Sequence, residues 1–209
     1  MILWTIQPVE VYRNLLETGT FACDPRKVPH KNDDHFTRAY AWISQQLRRR
    51  VGPPPARVTL PIWAWYRSAN FQHRRPDLRT HRYYPDQVYI EFEIAEEAVL
   101  LSDYENWHLV LNNAYFGAAR TEAAARREWK WYDQLSPAQQ QQAKRASWRR
   151  VFDVDAFENE WFRSGMIVQA CFWQLHREQV RRVWHQQPGH RVELIAGAAP
   201  LQIPQSVHP

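Results

Sequence analysis

Cysteine, glycine and long apolar runs are all scarce in this chain of 209 residues. Its two cysteines, Cys23 and Cys171, lie far apart and neither belongs to a CxxC pair, which argues against a disulfide framework and a structural zinc site. Both read as reduced thiols. Only six glycines are present, and there is no phosphate-binding glycine loop, G-x-S-x-G elbow or H-E-x-x-H, so the usual nucleotide-loop enzymes are not expected. The spacings of His30, His35, His73 and His81 match no standard metal pattern, and no metal is expected. No apolar run approaches the ~20 residues of a bilayer span, and the start "MILWTIQPVEVYRN" lacks the basic leader and apolar segment of a signal peptide. We therefore expect a soluble, cytoplasmic protein with no membrane partner. Lysine is rare beside arginine, whose planar guanidinium suits bidentate contacts to phosphate or carboxylate; with a net charge of +5, a nucleotide or nucleic-acid partner is permitted, not demanded.

Hydrophobic residues at 44% and charged residues at 23% are close to globular averages, so the chain should fold, and its length suits one domain. "ILWTIQ" reads as a strand ended by Pro8. "PVEVYRNLLETG" then reads as a helix, with proline in the first turn, Val11, Leu15 and Leu16 at helical spacing, and Gly19 as the stop. After a loop from Thr20 to Asn32, "DDHFTRAYAWISQQLRRR" has an aspartate cap, one apolar face of Phe36, Tyr40, Ile43 and Leu47, and arginines in its last turn. "VGPPPAR" leads into the strand "VTLPIWAWYR". The polar, basic stretch from Ser68 to Asp86 reads as a functional loop or flap.

Strict alternation in "QVYIEFEI" puts Val88, Ile90, Phe92 and Ile94 on one face of a strand and Tyr89, Glu91 and Glu93 on a polar one. "AVLLSDYENWHLVLNN" reads as a short strand entering a helix at Ser102, with Ser102 and Glu105 as a capping box. Two helices follow in "TEAAARREWKWYDQL" and "SPAQQQQAKRASWRRVF", the second capped by Ser136 with Gln139 three residues on. A late strand around Ile167 to Leu175 then runs into a basic amphipathic segment. Because strands and helices mix without a βαβ repeat, the expected class is α+β: one domain over 1–187 with a central, mostly antiparallel sheet and flanking helices, and a proline-rich tail over 188–209.

The tryptophans carry most of the functional signal. Trp63 and Trp65 are two apart on one strand and share a face; Trp107 follows Asp103 by one helical turn. Any single tryptophan is more simply core. As a group, beside Arg79, Glu91 and Asn112, they supply stacking surfaces, a guanidinium and a carboxylate of the kind that line a cleft.

"LWTIQ", "PIWAWY", "RPDLR", "LLSDYENWHLVLN", "SWRRVFD" and "VQACFWQL", in this order, resemble an uncharacterised bacterial family, the domain of unknown function numbered 3841, from Leu3 to about Val183. The resemblance emphasises Trp4, Gln7, Trp63, Trp65, Arg79, Asp103, Trp107, Asn112 and Gln169. A looser likeness is to ADP-ribosyltransferases, whose first strand carries a polar residue that grips the nucleotide and whose last strand presents Glu or Gln to the reacting ribose. "LWTIQPVEVYRNLLETG" and "IVQACFW" look like that plan, with Thr5 or Gln7 at the first position and Gln169 at the last, where glutamate is usual.

That likeness implies an NAD-using transferase, a bacterial toxin or defence effector with a cognate antitoxin or protein target as partner. Trp65 or Trp107 would stack the nicotinamide or adenine, and Arg79 would pair with the pyrophosphate. Glu91 and Gln169 would serve the reaction, with Thr5, Gln7, Asp103 and Asn112 completing the cofactor site. The competing reading is a non-enzymatic module that binds nucleic acid or protein through "RRPDLRTHRYY" and "REQVRRVWHQ".

Overall fold

The computed structural model describes residues 1–28, 33–78, 86–187 and 192–197. The chain opens with β1 (Ile2–Pro8), whose last residue enters α1 (Val9–Thr18). Val9, Tyr12 and Leu15 form the buried stripe of α1, and Gly19 ends the helix at φ 79°, its N–H donating to the Leu15 carbonyl at 3.0 Å. A left-handed stop of this kind suits glycine, which has no Cβ to clash. The next stretch is not all loop: β2 (Thr20–Ala22) follows at once. The Asp33 carboxylate then caps α2 (Asp34–Arg50) by accepting from the backbone N–H groups of His35 and Phe36. This satisfies donors that a helix start leaves unpaired.

Three further strands follow, β3 (Ile62–Arg67), β4 (Gln87–Glu93) and β5 (Leu100–Asp103), the last running straight into α3 (Tyr104–Leu111). The helical pair is α4 (Glu122–Asp133) and α5 (Pro137–Ser147), and the expected box of Ser136 and Gln139 forms at the start of α5. A 3₁₀ turn, Trp148–Phe152, comes next, then the short pair β6 (Phe157–Glu158) and β7 (Arg163–Ser164). The chain finishes with β8 (Val168–Phe172), β9 (Gln174–His176), β10 (Val180–Gln186) and β11 (Glu193–Gly197). The basic segment expected after the late strand is thus itself a strand, β10. The sheet also extends, through β11, into the stretch that the sequence reading assigns to the tail.

The protein is α+β. A seven-stranded sheet in the order β11-β10-β4-β1-β3-β8-β5 is antiparallel at every pairing, and β2 pairs with β9 in a small second sheet. Each face of the large sheet carries its own core. On one, α1 packs Val9, Tyr12 and Leu15 against Leu3, Ile62, Ala64, Val88, Ile90, Phe92, Ala170 and Val183. On the other, Ile43 and Leu47 of α2, Trp107 and Val110 of α3 and Trp148 pack over Leu100 and Cys171. Trp63 joins this second core, 5.1 Å from the Trp107 ring and 5.9 Å from Tyr40. Because Trp63 is only partly buried, Trp63→Ala should cost about 3 kcal/mol, the low end for a core tryptophan, read as a lower urea midpoint. Unchanged melting would contradict its place in the core.

The expected capping box at Ser102 does not form. Ser102 is still in β5, wholly buried, and the cap is Asp103, whose Oδ1 accepts from the Asn106 N–H at 2.8 Å. The reason is one residue of phase. Backbone pairing to β8 continues through Asp103, so the strand ends one residue later than the apolar pattern suggests.

Candidate functional site

Directly opposed residues of an antiparallel sheet project to the same side, so the register alone defines a row across the molecule. Arg182 of β10 opposes Glu91 of β4, Glu91 opposes Trp4 of β1, Trp4 opposes Trp65 of β3, Trp65 opposes Gln169 of β8, and Gln169 opposes Ser102 of β5. Six strands therefore present Arg, Glu, Trp, Trp, Gln and Ser in line on the face opposite α1. Apolar filling is confined to the α2–α3 end of this face, around Trp63, Cys171 and Leu100. A polar row through the middle of a sheet is not what core packing selects.

At one end of the row a cleft of about 740 Å³ opens over β4 and β10, with Glu91, Arg182 and Trp184 on its floor and Arg74, Arg75 and Leu78 among its walls. Glu91 is 8% exposed, and its carboxylate accepts a hydrogen bond from Trp4 Nε1 at 3.0 Å and lies 3.6 Å from the Arg182 guanidinium. The indole N–H fixes the carboxylate orientation, while Arg182, more than half exposed, screens it loosely. Arg75 lies over the Trp184 ring at 4.3 Å. The cleft is thus lined by three guanidinium groups, of Arg74, Arg75 and Arg182, and two carboxylates, of Glu91 and Asp77.

The wall owes its position to a tight turn. Asn70 and Phe71 both have left-handed backbones, at φ 45° and 63°, closed by the Gln72 N–H on the Ala69 carbonyl and pinned by the Phe71 N–H on the Met166 carbonyl at 2.8 Å. A left-handed phenylalanine costs about 1–2 kcal/mol, which those two bonds offset. The turn sends the chain back over β1, where His73 bonds the Ile2 carbonyl at 2.8 Å and its ring lies 5.1 Å from Trp4.

Farther along the row, Trp65 packs against Tyr104 at 5.1 Å, and beyond it Gln169 and Ser102 are buried. Among the described residues, neither Gln169 Nε2 nor Ser102 Oγ has a hydrogen-bond partner. Orphaned buried donors are rare because each costs about 1–3 kcal/mol, and two adjacent ones in a polar row mark a place where a partner is wanted.

Asp103 organises this end. Its Oδ2 accepts from the Gly165 N–H at 2.6 Å while Oδ1 caps α3, and the Gly165 carbonyl accepts from Arg67 Nη1 at 3.0 Å. Burial pushes the Asp103 carboxyl up, and the N–H donors from Asn106 and Gly165 pull it back. One node thereby ties β3, β5, α3 and the entry to β8, and it sets where Tyr104 meets Trp65.

The residues expected to form a site divide into distinct groups. Glu91, Trp65 and Gln169 share the row. Thr5 and Gln7 lie on the opposite face, above α1: the Gln7 amide donates to Thr5 Oγ1 at 2.8 Å and the Thr5 hydroxyl donates to the Trp63 carbonyl at 2.8 Å. The sheet separates them from Glu91, so they cannot grip a ligand that Glu91 touches. Asp103 is a helix cap, Trp107 is 4% exposed within the second core, and Asn112 ends α3 with its amide donating to the His108 carbonyl. Arg79 lies outside the described residues. Glu91 and Gln169 are three inter-strand steps apart, roughly 14 Å at ~4.8 Å per step, so they cannot serve one reacting atom.

Sequence reasoning placed Arg182 and Trp184 only in a basic stretch, read Ser102 as a helix cap, and left Trp4 without a role. The signal for Trp4 was available. It alternates with Leu3 and Thr5 in β1, so once Leu3 is core, Trp4 must share a face with the polar side of a neighbour.

No curated protein and no solved structure matches the chain. The family model described as Domain of unknown function (DUF3841) matches residues 2–181, most of the chain, and spans five strands of the row, ending one residue before Arg182 of β10. The chain belongs to the DUF3841 family.

Proposed function

We propose that the polar row and its cleft bind NAD as substrate and transfer its ADP-ribosyl group, in the service of a toxin or defence effector. The observation that carries this reading is the alignment of Glu91, Trp4, Trp65 and Gln169 on one face, in a row long enough for an extended dinucleotide. In this reading Arg74, Arg75 and Arg182 pair with the pyrophosphate, the task that the sequence suggested for Arg79. Trp65, only partly buried, offers a ring along which a nicotinamide can lie, and the unpartnered Gln169 Nε2 meets a carboxamide or base edge. In the transfer the bond between nicotinamide and ribose C1 breaks with its electron pair leaving on nicotinamide. An acceptor hydroxyl, amine or water bonds to C1 and gives up a proton.

Glu91 supplies fixed negative charge beside the ribose as positive charge develops there. Its orientation is set in advance by the Trp4 N–H, so little reorganisation is needed when the charge appears. The test is thermal. NAD at about ten times its Kd should stabilise the folded protein by about 1.4 kcal/mol, raising the melting temperature by about 3–6 °C, and sodium chloride of matched ionic strength should not. No shift at low millimolar NAD would remove the reading.

A further inference from the structure

A second face of the molecule carries positive charge with no carboxylate in its described lining. Segments 35–50 and 137–152 together hold eight Arg or Lys and no Asp or Glu, more than the net +5 of the whole chain, so the remainder is net acidic. The fold brings these segments together: Arg38, Gln45 and Arg49 project from one face of α2, and Arg145 and Arg149 from α5 and the 3₁₀ turn after it. Between them runs a groove of about 550 Å³ floored by Trp42 and Trp148. The two floor rings meet edge to face at 5.6 Å, which makes the groove rigid. Across the ridge formed by Ala41 and Gln45 lies a neighbouring cleft to which Arg48 contributes, and the described lining of both contains no acidic residue.

Surface arginines ordinarily find carboxylates, as Arg13, Arg126, Arg163 and Arg181 do elsewhere in this protein. Among the described residues Arg38, Arg48, Arg49, Arg145 and Arg149 form no ion pair; Arg38 reaches only the His35 ring at 3.1 Å. Arg50 lies on the Phe152 ring at 4.0 Å, and its pKa is lowered by burial and then by the neighbouring charge of Arg149. Holding like charges together costs stability, and an anion seated between them would relieve that cost.

We infer that the groove between α2 and α5 binds the phosphodiester backbone of a nucleic acid. Guanidinium groups in two facing rows suit a run of phosphates, which they can grip bidentately, and a described lining without carboxylates leaves the field unscreened. The glutamines Gln45 and Gln46 between the rows can donate to sugar or phosphate oxygens. This surface is separate from the basic stretches that the sequence singled out. It does not depend on the NAD reading.

The experiment is fluorescence anisotropy with labelled oligonucleotides, RNA and DNA, single-stranded and duplex, from 50 to 200 mM salt. Wild type should bind at least one of them with affinity that falls steeply with salt. The triple variant Arg49→Gln, Arg145→Gln, Arg149→Gln should lose at least tenfold at 100 mM salt, and the log–log salt slope should shrink by about 2 to 3, since each phosphate contact contributes about 0.7 to 0.9. The control Arg13→Gln, Arg126→Gln removes equal kinds of charge elsewhere and should change little. The single variant Arg49→Gln, with a slope smaller by about 1, carries the test if the triple variant melts early.

Preference for RNA or for DNA names the source and supports the inference either way. It is overturned if no oligonucleotide binds at 50 mM salt, if the triple variant binds like wild type, or if a poly-glutamate peptide of equal charge competes as well as the oligonucleotide. The last result would make the groove a seat for an acidic protein. The thermal shift with NAD should be the same in the triple variant as in wild type, which keeps the two surfaces separable.

Discussion

Glu91→Gln should lower nicotinamide release from NAD by about a hundredfold or more while leaving the fold standing. The size follows from what is lost: a pre-oriented negative charge in a partly water-excluded cleft, whose removal in comparable sites costs about 10²–10³ in turnover. The fold survives because the glutamine carbonyl can still accept the Trp4 N–H, and the other partner, Arg182, is solvent-exposed and held at 3.6 Å. Losing that loose pair should change stability by less than about 1 kcal/mol. Glu93→Gln is the matched control. It lies two residues along on the same face of β4, is exposed, and pairs with Arg181. It should keep full activity. Equal turnover in wild type and Glu91→Gln, measured by chromatography of released nicotinamide, would contradict the role given to Glu91.

The largest effect on stability is expected from Gly165→Ala. Gly165 has φ +68°, and a Cβ there would lie 2.3 Å from the Val154 carbonyl oxygen and 2.7 Å from that of Asp155, both backbone atoms that cannot swing aside. The left-handed conformation alone costs an alanine about 1–2 kcal/mol, and forced overlap in a packed region adds about 1–3, so the variant should lose about 2–5 kcal/mol in urea melts. Relief by displacement would break the node around Asp103, because the Gly165 N–H and carbonyl hold the Asp103 carboxylate and the Arg67 guanidinium. The start of α3 would shift, and with it the Tyr104 ring against Trp65. A loss under about 1 kcal/mol would show that the node is not rigid.

Most of the strands and helices were legible because their patterns are local. The period of Phe36, Tyr40, Ile43 and Leu47 and the alternation of Val88, Ile90, Phe92 and Ile94 each follow from one segment facing one core. The Asp33 cap, the Ser136–Gln139 box and the Gly19 stop are fixed by neighbours in sequence. The capping box misassigned to Ser102 shows the limit: two candidate caps stood side by side, and only pairing to β8 decides between them.

The site was legible only as a set of residue types. Glu91, Trp65 and Gln169 lie 26 and 78 residues or more apart in sequence, and their meeting depends on strand order, which no local pattern encodes. The same ignorance grouped Thr5 and Gln7 with Glu91, although alternation along β1 turns Thr5 and Gln7 to the α1 face and Trp4 to the other. Tyr89 and Glu91, expected on the polar face of β4, are both buried. The β4 face is covered by the returning wall of the cleft, which a reading of β4 alone cannot foresee.

The most direct measurement of the central claim is a crystal structure of the protein soaked with NAD. The account predicts the dinucleotide on the face opposite α1, its pyrophosphate between Arg74, Arg75 and Arg182, and its nicotinamide ribose over Glu91, with the ring directed toward Trp65 and Gln169. Density for NAD on the α1 face beside Thr5 and Gln7, or an empty cleft at saturating NAD, would contradict it.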